Sequence, residues 1–358
     1  MGLVVKFEAP RTVTVGEEPD EELSPSGVRI ATLFSGISAG TEMSYYRGTN
    51  PYLGKQWDAD QRLFRPVGDD GRASTLTYPI VGKGHEEVGV IVEVGPAAQG
   101  VAAGDVVWGK WGHRSSVVKP DAYARVRKLP AQSNPLLGVF SQIGAIALNV
   151  VLDADLHVGE TAAVFGLGVP GQIVAQLARL NGAEVIAVDP HDDRLKTAVS
   201  LGAPHTINAG DGAISERVRE LTGGRGADVA LEVTGSYQAL HEAIRSVAYN
   251  SRVVAAGFFQ GGGGGLALGE EFHHNRVDLR CSQISGVAPG LSHRWNDERL
   301  QRTVMGLAAS GRLQLEPLVT DVLPVERATE AFARLDDPSE RGLQMVLQFE
   351  DGGRCAVG

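Results

Sequence analysis

The sequence is poor in cysteine, which limits both its disulfide chemistry and its metal chemistry. Cys281 and Cys355 are the two thiols in a chain of 358 residues. Two thiols cannot build a disulfide framework or a zinc site with four cysteine ligands. A cysteine-rich structural zinc site is therefore excluded.

The sequence also lacks long hydrophobic runs and an excess of positive charge. No uninterrupted apolar run reaches the roughly 18 residues that cross a bilayer, and the first residues enter a strand-like run without the apolar stretch of a signal peptide. Lys and Arg number 33 against 43 Asp and Glu, which gives a net charge of −10. This balance repels nucleic-acid phosphates and anionic lipid headgroups. We therefore expect a cytoplasmic protein that binds neither nucleic acid nor membranes.

The chain divides by pattern into three parts, and its length fits about two domains of roughly 150 residues. Residues 1–142 carry short alternating apolar runs broken by Gly, Pro and Asp, which indicates a β-rich domain. In residues 143–285, four apolar strand-like runs alternate with helical stretches, which predicts a doubly wound parallel sheet of the α/β class. Residues 286–358 are too few for a domain of their own, so we expect them to return to the first part.

A glycine-rich turn in the second part carries the strongest functional signal. Residues 165–171, Phe-Gly-Leu-Gly-Val-Pro-Gly, match the G-x-G-x-x-G pattern between an apolar strand and an amphipathic helix. In that setting the first glycine permits a tight turn, the second admits a pyrophosphate, and the third lets helix and strand pack closely. The predicted dinucleotide contacts here are Gly166, Leu167, Gly168, Val169, Pro170 and Gly171.

An acidic residue at the end of the next strand predicts which dinucleotide binds. Asp189 follows Gly171 by 18 residues, close to the about 20 expected for the carboxylate that holds the ribose hydroxyls. Because a carboxylate repels a 2′-phosphate, NAD is favoured over NADP. Arg194, one helical turn later, is expected over the adenine or in solvent, and it keeps NADP open as the alternative.

Two further turns follow the third and fourth strands of the same part. They contain Thr234, Gly257 and Phe258. A doubly wound sheet places the nicotinamide ribose at these strand ends, so we expect these residues at the cofactor site. Ordinary strand-end turns are the alternative.

Three motifs, taken in order, resemble the medium-chain dehydrogenase/reductase superfamily over nearly the whole chain. They are Gly-His-Glu-Glu-Val-Gly at 84–89, Gly-Asp-Val-Val at 104–107 and the glycine turn at 166–171. The resemblance implies a GroES-like catalytic domain split around a Rossmann domain, an active site in the cleft between them, and a homodimer or homotetramer.

The zinc-ligand positions of that superfamily are altered in this chain. In its zinc alcohol dehydrogenases, a cysteine, the histidine of the Gly-His-Glu motif and a further cysteine or glutamate bind the catalytic metal. Here a serine and an extra residue replace the first cysteine within residues 36–42, and the last position falls near Ser141 and Gln142. The chain resembles a zinc-independent branch, similar to the bacteriochlorophyllide hydroxyethyl dehydrogenases and to sugar or polyol dehydrogenase relatives. No zinc is expected, and a metal held by His85, Glu86 and Glu42 is the alternative.

Oxidation of an alcohol without zinc requires a group that takes the hydroxyl proton as the carbonyl forms. His85 is the candidate, because an imidazole ordinarily titrates near neutral pH. By resemblance, Thr41 matches the Ser or Thr that relays the proton in the zinc relatives, and Glu42 and Glu86 could orient the imidazole or hold it charged. A structural histidine is the alternative for His85, and His113 is expected to be structural.

The stretch between Glu42 and His85 is longer than short-loop relatives require. Its 42 residues are rich in aromatic and arginine side chains, which suit stacking on a ring and hydrogen bonds to its hydroxyls. We predict substrate contacts from Tyr45, Tyr46 and Trp57 of this stretch, together with Gln142. An oligomer contact or a plain surface loop is the alternative.

Together these features predict a zinc-independent, NAD-dependent oxidoreductase that interconverts a secondary alcohol and a ketone. The substrate is expected to be a polar, ring-sized small molecule: a cyclic polyol, a sugar or a secondary-metabolite alcohol. Two alternatives stay open: a zinc-free enoyl or quinone reductase that uses NAD(P)H, and a non-catalytic protein that binds NAD(H).

Overall fold

A computed structural model describes residues 1–68 and 74–349 of the chain and shows an α/β protein built from two compact units. The first unit comprises residues 1–142 and the residues from 316 onward, and the second comprises residues 143–315. The predicted α/β fold class, with a parallel sheet and a separate β-rich part, is confirmed.

The second boundary lies at 315, not at 285 as the sequence predicted. The helix at Asp297–Ala309 belongs to the parallel-sheet unit, where Val304 packs directly against Gly144. Further along, the Gln176 side chain accepts a hydrogen bond from the Gln314 N–H at 2.8 Å and donates one to the Gln314 carbonyl at 3.0 Å. These contacts hold residues 286–315 on the second unit.

The secondary structure follows the alternation expected from the sequence. The strands are β1 (Gly2–Ala9), β2 (Thr12–Glu18), β3 (Gly27–Gly36), β4 (Lys55–Asp58), β5 (Leu63–Pro66), β6 (Ile80–Val81), β7 (Glu87–Val94), β8 (Val106–Gly109), β9 (Ser116–Pro120), β10 (Thr161–Phe165), β11 (Glu184–Asp189), β12 (His205–Asn208), β13 (Ala227–Glu232), β14 (Val247–Ala255), β15 (Asp278–Cys281), β16 (Val319–Pro324) and β17 (Gln344–Gln348). The α-helices are α1 (Thr41–Arg47), α2 (Asp121–Arg125), α3 (Ser141–Ala154), α4 (Val169–Leu180), α5 (Asp192–Ser200), α6 (Ile214–Leu221), α7 (Tyr237–Ser246), α8 (Asp297–Ala309) and α9 (Ala328–Asp336).

The second unit is a six-stranded sheet in the order β12-β11-β10-β13-β14-β15, and every neighbouring pair is parallel. Its central strands are nearly all apolar, because helices cover parallel sheets on both faces. Chain order reverses between β10 and β13, and ligands bind outside the carboxyl ends of the strands at such a switch point. The glycine turn follows β10 at that position.

The first unit is built around a mixed sheet in the order β16-β17-β3-β7-β8, with β9 also paired to β3. A smaller sheet, β2-β1-β6, packs its apolar face on α9, and the rings of Phe7 and Phe332 meet edge to face at 5.0 Å. The hairpin of β4 and β5 lies within the long stretch 43–84, whose residues 69–73 are outside the described part.

One helical stretch, Pro135–Ala154, has the length and hydropathy of a membrane span. Within its most apolar window, 72% is buried inside the protein. Such burial is typical of a core helix, whose apolar side chains are covered by protein.

Candidate functional site

The turn after β10 is shaped for a dinucleotide pyrophosphate. Gly166 adopts a φ of +90°, which favours glycine, and a Cβ added to Gly171 would overlap the Gly166 carbonyl oxygen. Gly168 is the N-cap of α4, and within the described residues no side chain caps this helix. The backbone N–H groups at the start of α4 are therefore left for an anionic ligand.

Asp189 closes this turn from the neighbouring strand β11. Its side chain is buried, and its two oxygens accept the N–H of Leu167 at 2.7 Å and the N–H of His191 at 2.9 Å. Arg194 Nη1 lies 3.7 Å from Asp189 Oδ2, so the cation stands beside the carboxylate. An ionised carboxylate has about four lone-pair sites, and Asp189 therefore keeps acceptor capacity for ribose hydroxyls.

The end of β13 contains an acidic residue that sequence reasoning missed. Glu232 is fully buried, and its carboxylate accepts the N–H groups of Thr234 at 2.7 Å and Gly235 at 3.1 Å, as well as the Thr234 hydroxyl. Burial raises the pKa of Glu232, and these hydrogen bonds act in the opposite direction. An acidic residue at the end of an apolar strand run is the signal that could have identified it.

Gly257 packs so closely on Gly235 that a side chain at either position would meet backbone, while Phe258 beside them is 45% exposed. Thr234 follows β13, and Gly257 and Phe258 follow the neighbouring strand β14, so the three residues lie together at one edge of the sheet, as the sequence predicted for a nicotinamide site. Their contact with a cofactor stays a prediction.

A cluster of buried acidic and histidine side chains forms the candidate catalytic centre of the first unit. His85 precedes β7 and has a side chain that is 21% exposed. Its Nδ1 lies 3.9 Å from Oε1 of Glu42 on α1, and its Nε2 lies 3.7 Å from Oε1 of Glu86. Three of the four predicted catalytic residues are thereby brought together. The fourth, Thr41, is half-buried at the first position of α1, next to Glu42 in the chain.

His113 belongs to the same cluster. Its ring is fully buried, with Nε2 at 2.6 Å from Glu42 Oε2 and Nδ1 at 2.6 Å from the Ser35 hydroxyl. The sequence predicted a structural role for His113, because this residue precedes a strand. Its contact with Glu42 arises from the packing of α1 against the sheet and has no local sequence signal.

Two neighbouring acidic residues complete the cluster. The Glu87 carboxylate accepts the Trp111 N–H at 2.6 Å and the Ser35 hydroxyl at 3.3 Å. The Glu86 carboxyl accepts a hydrogen bond from the Gln344 amide at 3.3 Å. The cluster therefore draws on both segments of the first unit, since Gln344 begins β17.

Burial and mutual charge set the protonation of this cluster. Burial raises the pKa of Glu86 well above its ordinary value, and the carboxylates of Glu42 and Glu87 add to the effect. Burial lowers the pKa of His85, with Glu42 opposing the shift. Burial would also lower the pKa of His113, but Glu42 and Glu87 outweigh it and the pKa is raised. The charged form is thus disfavoured at Glu86 and favoured at His113.

The donor atoms of this cluster do not converge on one point in the described part of the chain. The two nitrogens of His85 face different carboxyls, whereas one ion takes a single nitrogen of a given imidazole, at about 2.0–2.1 Å. The second oxygen of Glu42 is hydrogen-bonded to His113, and that of Glu86 is hydrogen-bonded to Gln344. In the described chain, no group of three or more His, Cys, Asp or Glu side chains is placed to hold a metal ion.

The four predicted substrate contacts fall in different surroundings. Tyr46 is buried and stacks on Phe332 with ring centroids 5.9 Å apart. It therefore belongs to the hydrophobic core, and the structure contradicts its prediction as a substrate contact. Tyr45 is partly buried against the same core. Gln142 is buried at the start of α3. Trp57 on β4 is 41% exposed and is the most accessible of the four.

Comparisons with known proteins agree with this architecture. A family model described as zinc-binding dehydrogenase matches residues 170–302. The chain is 30% identical over 345 residues to D-guloside 3-dehydrogenase of Escherichia coli K12, with 95% of this chain and 98% of the relative covered. It is 27% identical to 2-dehydro-3-deoxy-L-galactonate 5-dehydrogenase of Pseudoalteromonas atlantica, with 90% and 91% covered.

Among solved structures, the fold is similar to that of 2R,3R-butanediol dehydrogenase from Bacillus subtilis. The TM-score is 0.77 at 21% identity, and the match covers 97% of this chain and 99% of the other. The full-length match to the guloside dehydrogenase and the family model identify an oxidoreductase. The chain belongs to the zinc-binding dehydrogenase family of the medium-chain dehydrogenase/reductase superfamily.

Proposed function

We propose that this protein is an NAD-dependent, zinc-independent oxidoreductase that interconverts a secondary alcohol and a ketone on a sugar-like substrate. The observation that carries the proposal is the dinucleotide cradle of the second unit, where an uncapped helix, the open Gly168 backbone and the Asp189 carboxylate meet. These groups suit a pyrophosphate and a ribose.

The NAD preference is supported by Asp189. A buried carboxylate at the ribose position attracts the two hydroxyls of NAD and repels the extra phosphate of NADP. Arg194, which pairs with Asp189 at 3.7 Å, is partly neutralised by this contact and is less available to a phosphate.

Independence from zinc is supported by the donor set, although the family is described as zinc-binding. Ser38, not a cysteine, lies in the segment that supplies the first ligand in the zinc enzymes, and the two His85 nitrogens face separate carboxyls. A site that held zinc would need three ligands converging on one point.

The residues of the first unit can move the proton that the reaction releases. The alcohol loses a hydride from carbon and a proton from oxygen, and its C–O bond becomes a carbonyl. A bound nicotinamide ring supplies the hydride acceptor. His85 takes the proton, directly or through the Thr41 hydroxyl, and Glu42 stabilises the resulting imidazolium across 3.9 Å. Burial raises the pKa of Glu86, which disfavours a second negative charge beside the imidazole.

A sugar-like substrate is supported by two observations. The guloside and galactonate dehydrogenases, which this chain matches over at least 90% of its length, carry sugar-derived substrates in their names. The β4–β5 hairpin also exposes an aromatic surface together with the preceding Tyr52. The ring centroid of Phe64 lies 5.0 Å from that of Trp57 and 5.4 Å from that of Tyr52. Exposed aromatic rings of this kind stack on the apolar faces of sugar rings.

The test is NADH formation by the purified protein over a panel of glycosides, free sugars, cyclic polyols and simple secondary alcohols, with NAD and NADP in parallel. We expect turnover of a glycoside or sugar with NAD. We also expect kcat to be unchanged after dialysis against a chelator, with zinc far below one equivalent per chain by elemental analysis. The absence of NADH formation over the whole panel contradicts the proposed activity. A kcat that falls after dialysis against the chelator and recovers when zinc is added contradicts the metal-free chemistry.

The Trp57→Ala variant tests the substrate surface. Trp57 is exposed on a hairpin, so its removal leaves the core intact. We expect KM for the sugar to rise about tenfold, which lies in the ~1–3 kcal/mol range of a lost stacking contact, with KM for NAD unchanged. Val158→Ala, at an 85% exposed position of the other unit, is the matched control. An unchanged sugar KM in Trp57→Ala would remove this hairpin from the substrate site.

The predictions of a cytoplasmic location and of a homodimer or homotetramer stand as proposals drawn from the sequence. Size-exclusion chromatography with light scattering tests the second one, with a mass of two or four times 37.8 kDa expected.

A further inference from the structure

The inference concerns His113 and rests on the proposed function, because it assigns a role toward His85. His113 is a fully buried histidine with an interaction at each ring nitrogen, at 2.6 Å on both sides. A histidine that only fills space in a core needs one satisfied donor and one satisfied acceptor. The partners of His113 require more than that.

The partners fix the protons on the ring. The Ser35 hydroxyl donates its hydrogen bond to Glu87 Oε1 at 3.3 Å, so the Ser35 oxygen accepts a hydrogen bond from His113 Nδ1. Nε2 faces the carboxylate of Glu42, which is an acceptor when ionised. The Ser35 hydroxyl and the Glu42 carboxyl therefore hold the ring at both nitrogens and fix its orientation.

The contact with His113 uses one oxygen of Glu42. The other oxygen, Oε1, is buried without a hydrogen-bond partner among the described residues, and it lies 3.9 Å from His85 Nδ1. Ordinary N–H···O contacts measure about 2.9 Å, so a movement of about 1 Å would close the pair. A buried unpaired carboxylate oxygen is costly and gains most from an N–H on that side.

We propose that His113 is a positioning residue, which holds Glu42 in place so that its other oxygen selects the Nδ1–H form of His85 and leaves Nε2 as the proton acceptor. The chain of contacts runs from Ser35 through His113 and Glu42 to His85. Such carboxylate–histidine contacts set which nitrogen of a working imidazole carries the proton.

Other charged groups around His85 are compatible with this order. Glu86 faces Nε2 at 3.7 Å, and burial favours its neutral form. His113 and Lys110 are the positive groups whose charge acts on His85, and both oppose a second proton on the ring. Glu42 is therefore the group that favours a charged His85 during turnover.

The test is a double-variant cycle of His113→Gln and Glu42→Gln, with kcat measured on the substrate found in the panel. We expect each single change to lower kcat at least tenfold with KM for NAD within twofold. The double variant should be no slower than Glu42→Gln alone, because His113 acts through Glu42. Losses that multiply in the double variant would show that His113 acts on stability or elsewhere, and would overturn the proposal.

A second readout needs no turnover. Long-range ¹H–¹⁵N NMR reports the tautomer of His85, assigned by comparison with His85→Gln. We expect the Nδ1–H form to dominate in the parent protein and to fall to a mixture in His113→Gln. An unchanged tautomer in that variant contradicts the proposal.

Two comparisons separate this inference from the proposed function. If His85→Gln keeps the parent kcat, the assignment of His85 as proton acceptor fails, whatever His113 does. If His85→Gln is inactive while His113→Gln matches the parent in kcat, only the positioning role fails. If His113→Gln does not fold, the double variant, which replaces both partners of the His113–Glu42 contact, is compared with Glu42→Gln. A lower kcat in the double variant than in Glu42→Gln overturns the proposal.

Discussion

The glycines of the dinucleotide turn are expected to separate stability from cofactor binding. Gly171 lies where α4 crosses β10, and a methyl group added there would overlap the Gly166 carbonyl oxygen and lie 2.8 Å from its carbon. Gly168 faces open space, where the nearest atom to an added methyl is Pro170 Cδ at 3.9 Å. The same substitution by alanine therefore has different consequences at the two positions.

The magnitudes follow from this geometry. Gly171→Ala must push helix and strand apart, and overpacking of this kind costs about 1–3 kcal/mol or more. Gly168 has φ −64° and ψ −175°, which alanine adopts without strain. The gain of about 0.4–1 kcal/mol from a stiffer unfolded chain is offset by the weaker preference for alanine at an N-cap, so Gly168→Ala should leave the stability of the free protein nearly unchanged. The methyl group would then occupy the place of the pyrophosphate, and we expect a loss of at least tenfold in NADH affinity, or about 1.4 kcal/mol.

The assay pairs urea unfolding with NADH titration by fluorescence on both variants and the parent protein. Gly171→Ala should lose stability, and Gly168→Ala should lose NADH affinity while its stability stays nearly unchanged. If Gly168→Ala binds NADH as tightly as the parent, the pyrophosphate does not approach this backbone and the cradle is misassigned. If Gly171→Ala is as stable as the parent, the close approach of α4 to β10 is refuted.

Three further predictions address the ribose anchor, the buried acid and the core. Asp189→Asn should raise KM for NAD at least tenfold and increase the ratio of NADP to NAD turnover in kcat/KM, because the repulsive charge is lost; an unchanged ratio contradicts the NAD preference. The folded pKa of Glu86 is raised, so the folded state binds this proton more tightly than the unfolded chain, and the stability of the parent protein falls as pH rises from about 4.5 toward that folded pKa. Glu86→Gln lacks this loss, so its unfolding free energy relative to the parent should increase between pH 5 and pH 8. The increase should be about 1.4 kcal/mol for each pH unit that separates the folded from the unfolded pKa of Glu86. Urea midpoints of variant and parent that differ equally at both pH values argue against a raised pKa. Phe332→Ala removes a fully buried ring that contacts Phe7 and Tyr46, which should cost about 3–5 kcal/mol of unfolding free energy, and a loss far below that range would place the ring outside the core.

Much of the second unit could be predicted from sequence, because its signals are local. The four apolar strand-like runs expected in residues 143–285 correspond to β10, β11, β13 and β14. The edge strands β12 and β15 were missed, since their exposed and polar residues lack the apolar run of a buried strand.

The acidic cluster was only partly predictable. The Gly-His-Glu motif located His85 and Glu86, but the partner His113 is remote in sequence from Glu42 and meets it only through the tertiary fold. The same limit applies to Tyr46, because this aromatic residue of the long stretch 43–84 belongs to a short helix packed on α9. Periodicity over one turn of helix is too short to separate a core face from a ligand contact.

The pairing of β17 with β3 has a consequence for how the chain is made on the ribosome. Gln348 is the register partner of Phe34, so the main sheet of the first unit cannot close until the chain has been synthesised through β17. The second unit is continuous from 143 to 315 and can complete its sheet earlier. On the edge of β3 that pairs with β17, β9 covers Gly27–Ala31, but Phe34–Gly36 must wait unpaired, and nascent chains are exposed to edge-to-edge aggregation there during that interval.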